Sequence, residues 1–240
     1  MTGTIQHREI APGVHHLEID RPEVRNALGV REYQWLADHL ETLQAGAARA
    51  IVISGRGASF CAGNELAEFR TAWPQPAHGP VFRFLSALHA CEFPVLAAVH
   101  GGAVGVGATM LLHCDVVLAQ RGAFLKYPFV NLGISVEGGS SILLPARVGY
   151  LRAMDLLLSG RSVPAEEAAA LGLVSELVDD DVLTHALTRA EAIAKQSPAA
   201  VRMVKRQLRA SLERNAFPTL FEVEIQAINE LLTQRNASGE

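Results

Sequence analysis

The chain is short of the features that disulfide-bonded, metal-binding, membrane-spanning and polyanion-binding proteins depend on. Three cysteines in 240 residues, Cys61, Cys91 and Cys114, stand too far apart for a CxxC pair, so the reading is free, buried thiols in a reducing compartment and no zinc or disulfide role. The nine histidines are scattered, and the adjacent pair His15-His16 points to opposite faces of a strand, so no metal site is expected. Positive charge is not in excess: 21 Lys and Arg against 25 Asp and Glu leave a net charge of −4. Without a basic stripe the chain lacks the electrostatic footprint of nucleic-acid binding, and any phosphate recognition must be local. Apolar runs such as Pro94 to Val99 and Met110 to Leu112 fall far short of the roughly 20 residues a membrane span needs. The first ten residues have no apolar signal core and include Glu9, which predicts a cytoplasmic protein that contacts no membrane.

What is present is a hydrophobic fraction of 49% with 20 glycines, the composition of one sizeable α/β unit. Ile5 to Ile10 and Val14 to Asp20, around Pro12-Gly13, predict a hairpin. Tyr33, Leu36, Ala37, Leu40 and Leu43 recur at helical spacing. The short apolar runs Ala50 to Ser54, Val95 to Val99 and Asp115 to Ala119 read as strands, the first covered on both faces. Ala72 to Pro80 reads as a surface loop. Val81 to Ala90, Gly139 to Val148 and Leu151 to Leu158 read as helices, Leu125 to Val136 as irregular and Val174 to Val178 as a last strand. From Val182 onward the pattern is helical, with breaks at Ser197-Pro198 and Phe217-Pro218. The expected organisation is a core over residues 1–181 and a helical region over 182–240, too small to hold a core alone.

Three segments carry candidate chemistry. In GRGASFCAGNELAEF (Gly55 to Phe69), glycines after a buried strand let the chain turn tightly and leave N–H groups facing a ligand. The same residues also suit a plain strand-to-helix connection. HGGAVGVGATMLL (His100 to Leu112) is neither a Walker A loop nor a dinucleotide fingerprint. It offers a helix start suited to a developing negative charge, or simply a turn that lets helix and strand pack closely. Two such turns facing each other make an oxyanion hole. In YPFVNLGISVEGGSS (Tyr127 to Ser141), Glu137 is surrounded in sequence by apolar residues. Desolvation there would raise its pKa toward that of a general base; equally, it could serve the start of the following helix.

Together these segments, with RPEVRNAL (Arg21 to Leu28) and ALGLVSELV (Ala170 to Val178), resemble the crotonase superfamily, the enoyl-CoA hydratase/isomerase family, over nearly the whole chain. The resemblance implies a spiral of ββα units with a C-terminal helical trimerisation region, and hence a homotrimer or dimer of trimers. It implies an acyl-CoA thioester substrate, with coenzyme A entering as part of the substrate and no separate cofactor. The thioester oxygen would meet the backbone N–H groups of Asn64 and Val106, and the adenine would lie near Ala27, Ala62 and Leu66.

Family members that add water across a double bond carry two glutamates at positions occupied here by Thr109 and Phe129, so hydration is expected to be weak or absent. The strings AGNEL, GGAVGVGATMLL and PFVNLGISVEGGSS look instead like the Δ3-Δ2-enoyl-CoA isomerases, whose single glutamate maps onto Glu137, with Val136 where proline is common. The expectation is an isomerase with Glu137 as base. The alternatives are another crotonase reaction (hydration, decarboxylation or ring isomerisation, drawing on Glu65, Tyr127 or His113) and a catalytically inactive CoA-binding homologue.

Overall fold

A computed structural model of the chain describes residues 4–65, 67, 68, 78–212 and 217–238. The hairpin forms as the sequence predicts: β1 (Ile5–Ala11) pairs antiparallel with β2 (Val14–Ile19) across the Pro12-Gly13 turn. All later pairings in this sheet are parallel, adding β3 (Ala50–Gly55), β4 (Val95–Val99), β6 (Val116–Gln120) and β9 (Glu176–Val178) in the order β1-β2-β3-β4-β6-β9.

Parallel strands need both faces covered, and the alternation of side chains divides the interior accordingly. Ile51, Ile53, Val95, Ala97 and Val99 enter the larger core, whereas Ala50, Val52, Leu96 and Ala98 enter a smaller one on the opposite face. The larger core receives Leu36 and Leu40 of α1 (Val30–Ala45) and Phe84 and Leu88 of α2 (Pro80–Ala90). The smaller core is closed by α7 (Val182–Ala194), which presents Ala186, Ala190 and Ala194. Alanine at every fourth position lets that helix lie close against the sheet. Part of the helical region therefore packs directly on the spiral, as a segment with too few apolar residues of its own must.

A second sheet, β5-β7-β8, joins Gly102–Val104, Phe124–Lys126 and Ser162–Pro164. The sequence reading missed these three-residue strands and took Leu125 to Val136 as irregular throughout; runs this short carry no readable period. β5 leads into a one-turn helix α3 (Val106–Thr109), which continues as a 3-10 turn to His113. The helices α4 (Ser140–Val148) and α5 (Tyr150–Ser159) follow the candidate base. Helix α4 runs through Pro145, which removes one main-chain donor. Gly139, expected as its first residue, instead caps it in the left-handed region at φ 72°. After α6 (Ala165–Ala170) and β9, the chain ends in α7, α8 (Pro198–Leu212) and α9 (Phe217–Ser238). Ile225, Ile228 and Leu232 of α9 are buried in the larger core.

Candidate active site

The site assembles where the turn after β3 runs alongside the turn after β5. Cys61 pairs with Ala103 as a parallel bridge: the Cys61 N–H donates to the Gly102 carbonyl at 3.1 Å and the Val104 N–H to the Cys61 carbonyl at 2.9 Å. The approach is close enough that a Cβ on Gly107 would stand 2.4 Å from the Cys61 carbonyl oxygen. Gly105 adopts φ 56° and ψ −123°, a region that glycine alone enters without strain. These two residues are glycine for steric reasons.

On the far side, the turn from Arg21 to Leu28 completes the arrangement. The Leu28 N–H donates to the Gly63 carbonyl at 2.8 Å, and Leu28 bridges to Asn64. Arg25 and Asn26 both have positive φ, 53° and 60°. Asn26 is wholly buried, and its side chain secures the turn: Oδ1 accepts from the Arg21 N–H, while Nδ2 donates to the Arg56 and Ser59 carbonyls at 2.8 and 2.6 Å. Asparagine tolerates this conformation better than most residues.

The two N–H groups singled out by sequence, those of Asn64 and Val106, lie on these abutting turns, and among the described residues neither donates to a protein acceptor. Two N–H groups without protein acceptors on neighbouring turns are the kind of donors that can receive a developing oxyanion. The Asn64 side chain is held by the buried Tyr33, whose hydroxyl donates to Oδ1 at 2.5 Å. Ala27 is buried and Ala62 half-buried; the Ala27 carbonyl accepts from Arg21 Nη1 at 2.7 Å, and the Ala62 N–H donates to the Arg25 carbonyl at 3.0 Å. Leu66 and most of the loop from Ala72 lie outside the described residues.

Glu137 stands between β7 and α4, 4% exposed. Its Oε1 accepts from the Thr109 hydroxyl at 2.9 Å, while Oε2, also buried, has no hydrogen-bond partner among the described residues. Burial pushes its pKa up to about 7; the Thr109 hydrogen bond opposes the rise and the nearby Glu224 carboxylate adds to it. Thr109 belongs to the same turn of helix as Val106, so the carboxylate and the unpaired N–H share one rigid support. The turn behind Glu137 is fastened from one side by His113, whose Nε2 lies 2.8 Å from the Gly138 carbonyl oxygen. From the other side, Glu224 of α9 accepts from the Gly139 N–H at 2.7 Å.

Of the groups named for other crotonase reactions, Glu65 and His113 are engaged by neighbours and Tyr127 is enclosed in the larger core. Glu65 pairs with Arg21 at 2.7 Å. His113 is held neutral by burial, its pKa lowered to about 3. Tyr127 is wholly buried and its hydroxyl lacks a partner among the described residues, with burial raising its pKa far above the usual phenol range. Phe129 is buried in the larger core. Asn26, Tyr33 and Glu224 were not singled out by sequence. Asn26 lay within the quoted RPEVRNAL string but carries no chemistry of its own, and Glu224 meets the site across some 85 positions of chain.

With this geometry in view, comparison with known proteins is specific. The enoyl-CoA hydratase/isomerase family model matches residues 9–239. A probable enoyl-CoA hydratase of Rhodobacter capsulatus is 37% identical over 93% of this chain and 88% of its own length. The 1,2-epoxyphenylacetyl-CoA isomerase of Escherichia coli is 31% identical over 90% and 85%. A crystal structure of an enoyl-CoA hydratase/isomerase from Pseudoalteromonas atlantica superposes with a TM-score of 0.90 at 37% identity, covering 96% of this chain and 92% of that one. Relatives of both kinds, hydratase and isomerase, match over most of this chain, and the chain belongs to the enoyl-CoA hydratase/isomerase family of the crotonase superfamily.

Proposed function

We propose that the protein is an isomerase that moves the double bond of a 3-enoyl-CoA to the 2-position, with Glu137 as its single base. The observation that carries the reading is the state of Glu137: a buried carboxylate with one oxygen anchored by Thr109 and the other without a partner among the described residues. Its pKa near 7 suits a group that must both take and return a proton at neutral pH. Thr109 and Phe129 occupy the positions where hydrating members carry glutamates, and neither side chain can activate water as a carboxylate does.

In the reaction, Glu137 Oε2 takes a proton from C2 of the substrate. The C–H electron pair forms the C1–C2 double bond, and the carbonyl electrons move to the thioester oxygen, where the Asn64 and Val106 N–H groups receive the charge. The resulting dienolate is reprotonated at C4 by the same carboxyl group: the C3–C4 π pair forms the new C4–H bond, the C1–C2 pair becomes the C2–C3 double bond, and the thioester carbonyl reforms. One proton leaves and one returns, so neither a metal nor a redox group is needed, and coenzyme A enters with the substrate. Ala27, Ala62 and Leu66 are assigned to the adenine end.

The test is a pair of substrates offered to the purified protein. Conjugation of 3-hexenoyl-CoA faster than hydration of 2-hexenoyl-CoA is expected; the reverse order refutes the reading. Ring-containing acyl-CoA thioesters complete the panel, and binding without turnover of any thioester would mark an inactive homologue.

The assembly we propose is a homotrimer or dimer of trimers. Leu151 and Tyr150 of α5 are 81% and 68% exposed, and Leu208 of α8 is 65% exposed, more apolar surface than helices facing only water usually carry. Light scattering on the eluting protein reads the mass directly; a monomer contradicts the assignment.

A further inference from the structure

Glu224 is a buried carboxylate with no part in the proton transfer described above. It is carried on α9, yet both of its oxygens reach into the start of α4: Oε2 accepts from the Gly139 N–H at 2.7 Å, and Oε1 accepts from the Ser141 N–H at 3.2 Å and the Ser141 hydroxyl at 2.5 Å. Between these donors, the Ser140 N–H and hydroxyl turn back to the Glu137 carbonyl at 3.2 and 2.6 Å. Gly138 and Gly139 both have positive φ, 68° and 72°, and a pair of glycines has little preference of its own for one shape. The turn that presents Glu137 therefore takes its shape from its partners, and Glu224 supplies three of the bonds. Glu224 and Glu137 also line one small cavity, together with Val81, Leu85 and Ile225.

We propose that Glu224 is a positioning residue for Glu137: by capping α4 it fixes the Gly138-Gly139 turn, and it sets a second negative charge behind the base, so that packing of α9 tunes how readily Glu137 holds a proton. The proposal rests on reading Glu137 as the base. Among the described residues, the titratable groups facing Glu137 are Tyr33 from α1, Cys61 from the turn after β3 and Glu224 from α9; Thr109 faces it from α3, and His113, kept neutral by burial, stands behind on the Gly138 carbonyl. Burial raises the Tyr33 phenol well above its usual range and the Cys61 thiol to about 12, so both are neutral at physiological pH. Burial raises the Glu224 carboxyl as well, opposed by the bonds from Ser141 and Gly139; its two oxygens accept from three donors, the arrangement that suits an ionised carboxylate. It faces Glu137 and the donors of Gly139 and Ser141, while Glu222 on the same helix pairs with His78 at 3.9 Å. A nearby like charge disfavours ionisation, so removing it must make Glu137 a stronger acid.

The test is a carbon-13 NMR titration of the Glu137 side-chain carboxyl in the full chain, assigned by its loss in Glu137→Gln. In Glu224→Gln, which keeps the shape and one acceptor but removes the charge, the Glu137 titration is expected to move down by on the order of one pH unit. The acid limb of kcat should move with it while KM stays in place. A folded Glu224→Gln variant with the wild-type Glu137 titration overturns the proposal. In the wild type, Glu224 must lose its proton at lower pH than Glu137; the opposite order overturns the proposal whether or not the variant folds. A shifted Glu137 titration in a protein that turns over no 3-enoyl-CoA would refute the isomerase reading and leave this one standing.

Discussion

The hydroxyl of Thr109 donates to Oε1 of Glu137 at 2.9 Å and leaves Oε2 of the same buried carboxylate without a partner among the described residues. This one bond occupies Oε1, leaving Oε2 as the oxygen assigned to proton transfer, and opposes the rise that burial imposes on the carboxyl. Thr109→Val keeps the shape and deletes the donor. A hydrogen bond to a charged group contributes about 1.5–3 kcal/mol, so the acid limb of the rate profile is expected to move to higher pH and kcat to fall roughly ten- to hundredfold. A pH–rate profile of the variant checks both.

The Val106 N–H is a separate matter from the Val106 side chain. Proline is tolerated at the first position of a helix, and Gly105 at φ 56° and ψ −123° is the mirror image of the extended conformation that normally precedes proline, open to glycine. Val106→Pro is therefore expected to fold and lose one oxyanion donor, lowering kcat about 10²- to 10³-fold. Val106→Ala keeps the donor and should stay far closer to the wild type. Similar turnover in the two variants would remove Val106 from the oxyanion site.

Most of this arrangement was legible in the sequence because it is local. The strands of the large sheet are runs such as Ala50 to Ser54, whose apolar residues have no polar face to show, and the glycines at 105 and 107 mark a turn whose purpose is close approach. Glu137 stood out as a carboxylate in apolar company, and the structure gives it that burial. What could not be read was long-range. The three-residue strands β5, β7 and β8 hold each other across the chain, and Glu224 acquires its role only when α9 lies against α4. The direct bond from Thr109 to Glu137 was equally hidden, because side-chain contact between one turn of helix and a distant loop leaves no periodic trace.

Stability should carry the mark of the same carboxylate. The folded-state pKa of Glu137 is raised from 4.5 to about 7, so between those values the folded protein holds a proton that the unfolded chain has lost. Stability from this group is full below the unfolded pKa, falls as pH rises through the folded one and is flat above it. At about 1.4 kcal/mol per unit, the loss is about 3 kcal/mol by pH 8. The histidines work in the other direction: His16 and His89, with pKa values lowered to about 4, and His113, lowered to about 3, destabilise the fold as pH drops below their unfolded value of 6.5. The difference between the wild type and Glu137→Gln cancels that background. Urea unfolding at pH 5 and pH 8 is expected to show the variant gaining on the wild type at the higher pH; an unchanged difference would mean that Glu137 is not held protonated by burial.

Asn26 makes a structural prediction. Asn26→Ala leaves the Arg56 and Ser59 carbonyls and the Arg21 N–H without this partner and puts alanine at φ 60°. Each unmade buried bond costs about 1–3 kcal/mol, so a fall in stability of several kcal/mol and a raised KM for acyl-CoA are expected, measurable by denaturant unfolding and steady-state kinetics.

The most direct measurement is turnover of 3-hexenoyl-CoA to its conjugated isomer by the wild type and Glu137→Gln at pH 8, with folding of the variant verified by circular dichroism. A positioned general base contributes about 10²- to 10⁴-fold, and a loss of that size in kcat with KM little changed is the predicted result. A Glu137→Gln variant that isomerises 3-hexenoyl-CoA at the wild-type rate would contradict the assignment of Glu137 as the base.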